Sequence, residues 1–429
     1  MDGGEDEDAP EGGVFLDVEG VEFLDDGDDG DGPPPPESDD EEGDEYGAEG
    51  GVEGDDDGEG EGEGGGVGVD GTKRVAAAAV DDLSALTFDS HAGPVYCVAS
   101  RSLGEGKGAM VASGGGDDLV FLWTHGGGGG GDGEGRRAAP LRLAGHTDSV
   151  VAVGFDSAGE LLASAAMDGV TIVWDAATGA EVSRLEGPGD ALEWGYWHPR
   201  GPVYLAGTAD GQVWMWNARS AECMNVLAGH SGAVTCGSFA PDGKTAVTAS
   251  ADGSVRVWDP RSAAVLQNFA GARDEPVTAL ALSALSPLAI SGAESGRLQL
   301  LQLKTGKCLG TLAGHTDSIE SVAFASFGGA SYQLVASGSM DCSLRVWDVN
   351  SLQIRSVYAH DSGVVKVCWH PTEPLLVSAV ADGDVLVWDT RSNTARKLTG
   401  HVDCILDCVV TADAIVSASD DETAKVWKL

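Results

Sequence analysis

A histidine, a serine or threonine and an aspartate recur together along this chain of 429 residues. In one copy they are His146, Ser164 and Asp168, the residue types of a nucleophilic hydrolase. Six copies stand in the same order, each with a tryptophan six residues after the aspartate, and six active centres in fixed register are not plausible in one chain. No serine lies in a Gly-x-Ser-x-Gly elbow either. We therefore expect no catalytic residue, and the sequence predicts a protein that is not an enzyme.

The repeated residues form sets of four, in the order histidine, hydroxyl residue, aspartate and tryptophan. The three clearest sets are His146, Ser164, Asp168, Trp174; His230, Thr248, Asp252, Trp258; and His360, Ser378, Asp382, Trp388. The other three are His91, Ser113, Asp117, Trp123; His315, Ser337, Asp341, Trp347; and His401, Ser417, Asp421, Trp427. Trp174, Trp216 and Trp258 are spaced 42 residues apart (216 − 174 and 258 − 216), a period typical of four-stranded propeller blades.

The segments between these residues are short, β-branched and alternating, as at 253–259 and 342–349, and this pattern predicts strands. Asp-Gly pairs at 168–169, 210–211, 252–253 and 382–383 predict tight hairpin turns, because these residue types tolerate a positive φ. Each turn would join the second strand of a unit to its third.

Two further units are degenerate. One keeps Asp210 and Trp216 but has Ala206 in place of the hydroxyl residue, and the other has Glu294 and Leu300 at the aspartate and tryptophan positions. Both keep the hydrophobic strand pattern, so the sequence predicts eight units in an all-β protein.

The Gly-His and Trp-Asp dipeptides of residues 84 to 429 resemble those of WD-repeat β-propellers. The resemblance implies an eight-bladed WD-repeat β-propeller in which each set of four is a buried hydrogen-bonded tetrad. The tryptophan indole would donate to the hydroxyl, the hydroxyl to the histidine, and the histidine to the aspartate. Such buried polar groups are tolerated only when every member has a partner.

The two ends of the repeat region predict how the ring closes. Trp427 lies two residues before the end of the sequence, so the last unit has no room for a fourth strand. The segment 83–88, which precedes the first histidine, reads as a strand without a partner in its own unit. We expect it to pair with the last blade, so that residues 83–429 form one closed domain.

A strongly acidic segment precedes this domain. Residues 1–72 hold 30 of the 70 acidic side chains and no lysine or arginine, so residues 1–82 are predicted to be a disordered acidic tail. Within it, residues 14–24 alternate large apolar and acidic side chains, which suits either a short partner-binding motif or an inert solvated segment.

The WD-repeat resemblance also implies a binding face, formed by the loops between blades and by the hairpin turns within them. The fifth residue after each histidine, or its equivalent, would line the central opening, namely Tyr96, Val151, Glu193, Thr235, Thr278, Glu320, Val365 and Leu406. Around this opening we expect Asp148, Asp317, Asp361, Asp403 and Asp420, with Met167 and Met340 beside their tetrad aspartates. Carboxylates next to apolar side chains suit a basic peptide, and a generally acidic surface is the alternative interpretation.

The block at residues 192–217, the acidic tail and the eight units with degenerate third and fifth copies resemble the family of the angio-associated migratory cell protein. That family includes a fungal chaperone of a basic large-subunit ribosomal protein, so the resemblance implies ribosome biogenesis and a basic ribosomal partner. Two alternatives remain open. The first is a substrate receptor of a cullin-type ubiquitin ligase, because the Trp-Asp-x-Arg sequences ending at Arg261 and Arg391 resemble the element by which such receptors dock to the ligase adaptor. The second is a scaffold in cell-migration or angiogenesis-type signalling.

Charge and composition argue against several classes of partner and ligand. A formal net charge of −45 disfavours direct binding of nucleic acid. The sequence has no stretch of 18 apolar residues, so we expect no membrane insertion. Its eight cysteines lack a Cys-x-x-Cys pair and no phosphate-binding motif occurs, so we expect neither a metal nor a cofactor. These features predict a monomer in the cytoplasm, with nuclear residence as the alternative.

Overall fold

The structure is a computed structural model that describes residues 82–104, 108–126, 139–271, 275–327 and 333–429. The predicted tail, apart from Asp82, lies outside the described residues. Across the described ranges the secondary structure consists of strands joined by turns, and no helix there is long and apolar enough to cross a membrane.

The strands fall into eight consecutive groups. A short strand, β1 (Leu86–Phe88), precedes the first group. The first four groups are β2 (Val95–Ser102), β3 (Ala109–Gly115), β4 (Leu119–His125), β5 (Leu141–Ala144); β6 (Val150–Phe155), β7 (Leu161–Ala166), β8 (Thr171–Asp175), β9 (Glu181–Leu185); β10 (Leu192–Trp197), β11 (Val203–Thr208), β12 (Gln212–Asn217), β13 (Glu222–Ala228); and β14 (Val234–Phe239), β15 (Ala246–Ser250), β16 (Ser254–Asp259), β17 (Ala264–Ala270). The last four are β18 (Val277–Leu282), β19 (Leu288–Ala293), β20 (Leu298–Gln302), β21 (Lys307–Leu312); β22 (Ile319–Phe324), β23 (Leu334–Ser339), β24 (Ser343–Asp348), β25 (Gln353–Ala359); β26 (Val364–Trp369), β27 (Leu375–Val380), β28 (Val385–Asp389), β29 (Thr394–Leu398); and β30 (Ile405–Val410), β31 (Ala414–Ser419), β32 (Ala424–Lys428).

Each group is one antiparallel four-stranded sheet, or blade, in sequence order, and the eighth sheet has the order β1-β32-β31-β30. The first strand of every blade contacts the first strand of the next, and β30 of the eighth blade contacts β2 of the first. The protein is therefore an eight-bladed β-propeller, as the repeat count predicted.

The hydrophobic core is divided among the seams between neighbouring blades. Eight clusters of buried side chains each join two adjacent blades. In the seam between the third and fourth blades, Trp194 and Leu205 pack with Val234 and Trp258. The alternating sequence explains this arrangement, because successive side chains of a strand point to opposite faces of its sheet and each face meets a different neighbour.

The eighth blade contains both ends of the described chain. Leu86 of β1 is paired with Val426 of β32, and the amide of Ala85 donates to the Val426 carbonyl at 2.7 Å. The paired strand is shorter than the 83–88 segment expected from the sequence. Phe88 then reaches across the seam and stacks on Trp123 of the first blade, with ring centroids 4.9 Å apart.

The antiparallel order places two kinds of loop at each end of the blades. The turns between second and third strands lie at the same end as the connections between blades, and we call this end the upper face. Gly169, Gly211, Gly253 and Gly383 of the Asp-Gly turns have φ values of 78°, 88°, 80° and 91°. A Cβ at Gly211 would lie 2.9 Å from the His230 carbonyl oxygen, so the glycine lets the turn approach the connection into the next blade.

Candidate partner-binding face

Five of the six tetrads form the complete chain of hydrogen bonds. In the fourth blade the Trp258 indole donates to the Thr248 hydroxyl at 2.8 Å, and that hydroxyl lies 2.8 Å from His230 Nε2. His230 Nδ1 in turn lies 3.1 Å from the Asp252 carboxylate. The chains that begin at His91, His146, His315 and His401 have the same three links.

Burial of the rings explains why these histidines act as neutral links. Desolvation lowers the pKa of His146, His230 and His315, although the neighbouring aspartates oppose the shift. A neutral ring accepts at Nε2 and donates from Nδ1, which is the tautomer that a hydroxyl on one side and a carboxylate on the other require. The tetrads are therefore structural, and they tie each connection between blades to the adjacent turn.

The carboxylate at the end of each complete chain is strongly held. Burial alone would raise the pKa of Asp421, but hydrogen bonds from His401, Thr423 and Val402 lower it to about 2. Hydrogen bonds from Ser254 and Ser231 lower the pKa of Asp252 in the same way, against the effect of its burial.

The seventh blade departs from the expected tetrad at its last link. His360 Nε2 lies 2.8 Å from the Ser378 hydroxyl, which accepts the Trp388 indole at 3.0 Å. His360 Nδ1, however, lies 3.2 Å from the backbone carbonyl of Tyr358, and Asp382 is exposed to solvent. The sequence pattern placed Asp382 in the tetrad, but Asp384, two residues later, carries a second carboxylate where the fourth, sixth and eighth blades have a hydroxyl donor.

The degenerate third blade replaces the tetrad with other contacts. The Trp216 indole donates to the Glu186 carbonyl at 3.2 Å, and the Thr208 hydroxyl donates to the Asp210 carboxylate. In the fifth blade the pairing register places Leu301 at the tryptophan position, in the seam with the fourth blade, so the prediction of Leu300 was wrong by one residue; Leu300 is buried in the seam with the sixth blade. These two blades therefore pack without the histidine link.

The eight residues predicted to line the opening share one position in the structure. Each is the second residue of the first strand of its blade, where the pairing register shifts by one residue. In the third blade the shift falls between Leu192 and Trp194, so Glu193 is left out of the ladder. Such a bulge redirects the side chain of its extra residue, which explains how Glu193 and Glu320 remain exposed on strands whose neighbouring residues are buried.

The other bulge residues differ in what they offer a partner. The hydroxyls of Thr235 and Thr278 donate to backbone carbonyls of the next blade, so they join blades together. Tyr96 is 36 % exposed and lies beside Gly116, where a Cβ would approach its ring to 3.1 Å. Glu193, Glu320 and Tyr96 are therefore exposed side chains of this ring that a partner can reach.

A second ring of residues precedes each tetrad aspartate or its equivalent. The amides of Met167, Met340 and Asp420 donate to the carbonyls of Ser149, Ser318 and Cys404, at 3.0, 2.9 and 2.9 Å, and so hold each turn against the start of its own blade. Met167 is 47 % exposed and Met340 is 40 % exposed. The two methionines and Asp420 thus occupy equivalent positions on the upper face.

A third ring lies two residues before the first strand of each blade. Asp148 and Asp317 accept hydrogen bonds from the next amide at 2.7 and 2.8 Å, and Asp403 holds the equivalent position. Asp361 lies one residue further back, directly after His360. The upper face therefore carries every carboxylate predicted for the site.

Sequence reasoning missed Asp190 and Glu275 on these rings and wrongly placed Glu294 at the tetrad aspartate position, which Ser295 holds, because the degenerate blades have no histidine from which to count. Asp190 and Glu275 occupy the third-ring position of the third and fifth blades, and Glu294 occupies the second-ring position of the fifth. Counting from the start of the first strand would have found them. Glu275 forms an ion pair of 3.2 Å with Arg297.

The two Trp-Asp-x-Arg sequences lie at the opposite end of the blades. The amides of Arg261 and Arg391 donate to the carboxylates of Asp259 and Asp389 at 3.0 and 2.8 Å, so the motif aspartate supports the turn between the third and fourth strands. Both arginines are exposed.

Within the described ranges no group of three His, Cys, Asp or Glu side chains could hold a metal ion.

The sequence matches the family model for the WD domain, G-beta repeat, over 84–124, 140–175, 221–259, 306–348, 351–389 and 392–428. These matches cover more than half of the chain. Most of the degenerate third blade and most of the fifth lie between these matches.

Curated relatives match most of the chain. The angio-associated migratory cell protein of Canis lupus familiaris is 33 % identical over 368 residues, which is 81 % of this chain and 80 % of that protein. The Homo sapiens protein of the same name is 32 % identical over the same shares.

Solved structures show the same fold at lower identity. Saccharomyces cerevisiae Sqt1 has a TM-score of 0.70 at 21 % identity, and the match covers 81 % of this chain and 99 % of Sqt1. Chaetomium thermophilum Sqt1 bound to the N-terminus of the ribosomal protein L10 has a TM-score of 0.70 at 23 % identity, covering 81 % and 100 %. The computationally designed Ika8 protein has a TM-score of 0.68 at 24 % identity, covering 81 % and 100 %, so similarity at this level shows the fold alone. From the repeat match and the curated relatives, the chain belongs to the WD-repeat proteins and, among them, to the family of the angio-associated migratory cell protein.

Proposed function

We propose that this chain is a non-enzymatic escort of a basic large-subunit ribosomal protein, which it binds on the upper face and keeps soluble until assembly. The observation that supports the proposal is the set of carboxylates that the three rings bring together on the upper face. Support comes from Sqt1, which has the same fold and of which one structure holds the N-terminus of ribosomal protein L10.

The chemistry of the upper face suits a basic peptide. Glu193 and Glu320 stand at the opening, and Met167, Met340 and Tyr96 add exposed apolar surface beside carboxylates. Lysine and arginine side chains would gain charge-assisted hydrogen bonds there, while their alkyl stems would cover the methionines and the tyrosine. Because each exposed ion pair contributes only about 0–1 kcal/mol, affinity must come from several pairs together.

The same proposal covers the cellular setting. An escort has to hold the basic protein before that protein reaches ribosomal RNA. The binding surface must therefore repel nucleic acid, and a net charge of −45 on the chain has this effect. We therefore propose a cytoplasmic monomer, with nuclear residence as the alternative, that takes a protein partner and no nucleic acid.

The first experiment measures binding of a labelled peptide with the sequence of the L10 N-terminus to the full chain by fluorescence anisotropy. The variant combines Glu193→Lys and Glu320→Lys, which replaces two attractive charges at the opening with repulsive ones. We expect an affinity loss of at least about tenfold, since each charge reversal removes one pair and adds one repulsion.

The matched control combines Glu222→Lys and Glu373→Lys. Both residues are exposed and lie at the ends of strands opposite the upper face, and the net charge changes by the same amount. We expect this control to bind like the unmodified chain. If the Glu193 and Glu320 variant binds the peptide as tightly as the unmodified chain, these two residues are not part of the site. If both variants lose the same affinity, binding depends on the overall charge of the chain and not on these positions.

A further inference from the structure

The seventh blade has the sequence of a complete tetrad but not its structure. In the five complete tetrads the aspartate side chain is only 5 to 9 % exposed. Asp382 is exposed, and His360 donates to the Tyr358 carbonyl. The cause must lie in neighbouring residues, because His360, Ser378, Asp382 and Trp388 keep the standard types and order.

In the complete tetrads the aspartate accepts from several donors. In the first two blades the residue two positions after the aspartate, Leu119 or Val170, donates only through its amide, whereas three other blades add a hydroxyl bond. Asp252 accepts hydrogen bonds from His230 Nδ1, from the amide of Ser231 directly after that histidine, and from the amide of Ser254. The Ser254 hydroxyl adds a fourth bond of 2.6 Å. Ser343 and Thr423 donate the same hydroxyl bond in the sixth and eighth blades.

Both flanking positions are acidic in the seventh blade. Asp361 follows the histidine, where the complete units have Ala92, Thr147, Ser231, Thr316 and Val402. Asp384 takes the position of Ser254 with a carboxylate in place of the hydroxyl, and burial and the charge of Asp382 raise the pKa of Asp384, although Lys397 opposes the shift. The amide of Asp384 still donates to Asp382 at 3.2 Å, so only the side-chain link is replaced by a repulsion.

Asp384 is held firmly enough to displace its neighbour. Its carboxylate pairs with the Lys397 ammonium of β29 and its side chain is only 14 % exposed. The turn that carries Asp382 lies against the connection into the eighth blade, because a Cβ on Gly383 would lie 3.0 Å from the Asp403 carbonyl oxygen. Asp382 is therefore on the upper face, close to Asp403.

We propose that Asp384 is a positioning residue that turns Asp382 out of its tetrad and onto the upper face, where Asp382 becomes a further contact for the basic partner. The contact with the partner rests on the proposed function, whereas the displacement does not. In this arrangement the seventh blade exchanges one structural link for one exposed carboxylate.

The first test is structural and needs no partner. In crystals of the full chain carrying Asp384→Ser, the serine should donate to Asp382 as Ser254 does to Asp252. His360 Nδ1 should then lie within about 3.2 Å of the Asp382 carboxylate, the upper limit of a hydrogen bond. Asp384→Thr, which copies Thr423, repeats the test. If His360 stays on the Tyr358 carbonyl in both variants, Asp384 does not position Asp382.

The second test is a double-mutant cycle with the L10 peptide. Asp382→Asn in the unmodified chain should weaken binding by up to about fivefold, the range of an exposed ion pair. The same substitution in the Asp384→Ser background should have no measurable effect, because Asp382 would already be withdrawn into the tetrad. Glu373→Ser, which removes one charge from the opposite end, should bind like the unmodified chain.

The two tests separate the possible failures. Equal effects of Asp382→Asn in both backgrounds would overturn the positioning role in binding. An unmodified chain that does not bind the peptide would contradict the proposed function and the role of Asp382 as a contact. The crystals would then still decide whether Asp384 displaces Asp382.

Discussion

In every tetrad one hydroxyl group has two partners, the indole and the imidazole. Ser337 accepts the Trp347 indole at 2.8 Å and lies 2.7 Å from His315 Nε2, and Trp347 is almost fully buried. Ser337→Ala would leave both nitrogens without a partner in a place that water cannot enter. We expect a loss of about 1–3 kcal/mol in the free energy of unfolding, measured by chemical denaturation.

The matched comparison is Ser378→Ala in the seventh blade. Trp388 and His360 are only partly buried there, so water can replace the missing hydroxyl, and we expect a smaller loss. Equal losses at the two positions would show that burial does not set the contribution of the tetrad.

Residue types and spacing predicted which side chains form the tetrads, because the spacing follows from the length of the strands. They did not predict the displacement of Asp382. That displacement depends on repulsion from Asp361 and Asp384, which a motif of four fixed positions does not include. Asp190 and Glu275 were missed for a related reason, since their blades lack the histidine that served as the reference point.

Among the elements, β1 has the fewest residues and joins the most distant parts of the sequence. Phe88 is buried between Trp123, Phe121 and His91 of the first blade and the sheet of the eighth. Phe88→Ala would remove this stacking and leave a cavity at the seam, so we expect a loss of about 3–5 kcal/mol in the free energy of unfolding.

Leu83→Ala is the control, because Leu83 is exposed and close to the same strand. We expect a change within about 0.5 kcal/mol. Hydrogen exchange should also become faster in β32 of the Phe88→Ala chain. Unchanged stability would mean that β1 is not needed to hold the ring together.

The alternating sequence pattern predicted the positions of the strands. It did not predict the bulges, because a register shift is a property of two paired strands and not of one strand's sequence. The prediction that Glu193 and Glu320 line the opening came from family resemblance. The bulges at these positions explain how a charged side chain can remain exposed between two buried neighbours on the same strand.

At the scale of the whole molecule, the sequence gives the net negative charge, and the structure shows that many of the described acidic side chains lie on the upper face. Acids of the three rings on the upper face come from six of the eight blades, all but the first and the fourth, and within the described residues Arg297 is paired there with Glu275. Charges of one sign around an opening raise the local concentration of a ligand of opposite sign and increase its association rate.

Salt should therefore slow the capture of the L10 peptide. At 0.1 M salt the Debye length is about 10 Å, so acids on distant blades no longer act together. Between 0.05 and 0.5 M NaCl we expect the association rate constant from stopped-flow fluorescence to fall by at least about tenfold. The chain with Glu193→Lys and Glu320→Lys should show a weaker dependence, and a rate that is independent of salt would contradict the electrostatic account.

The order in which the eighth sheet is assembled has a consequence for biosynthesis. A ribosome makes β1 before any other described strand and β32 after all the others, yet these two strands are hydrogen-bonded neighbours. Seven blades can form during translation, whereas the eighth remains incomplete until the end of synthesis. A truncated product that stops before β32 would thus expose two unfilled sheet edges, which gives quality-control proteases a clear means of recognising it.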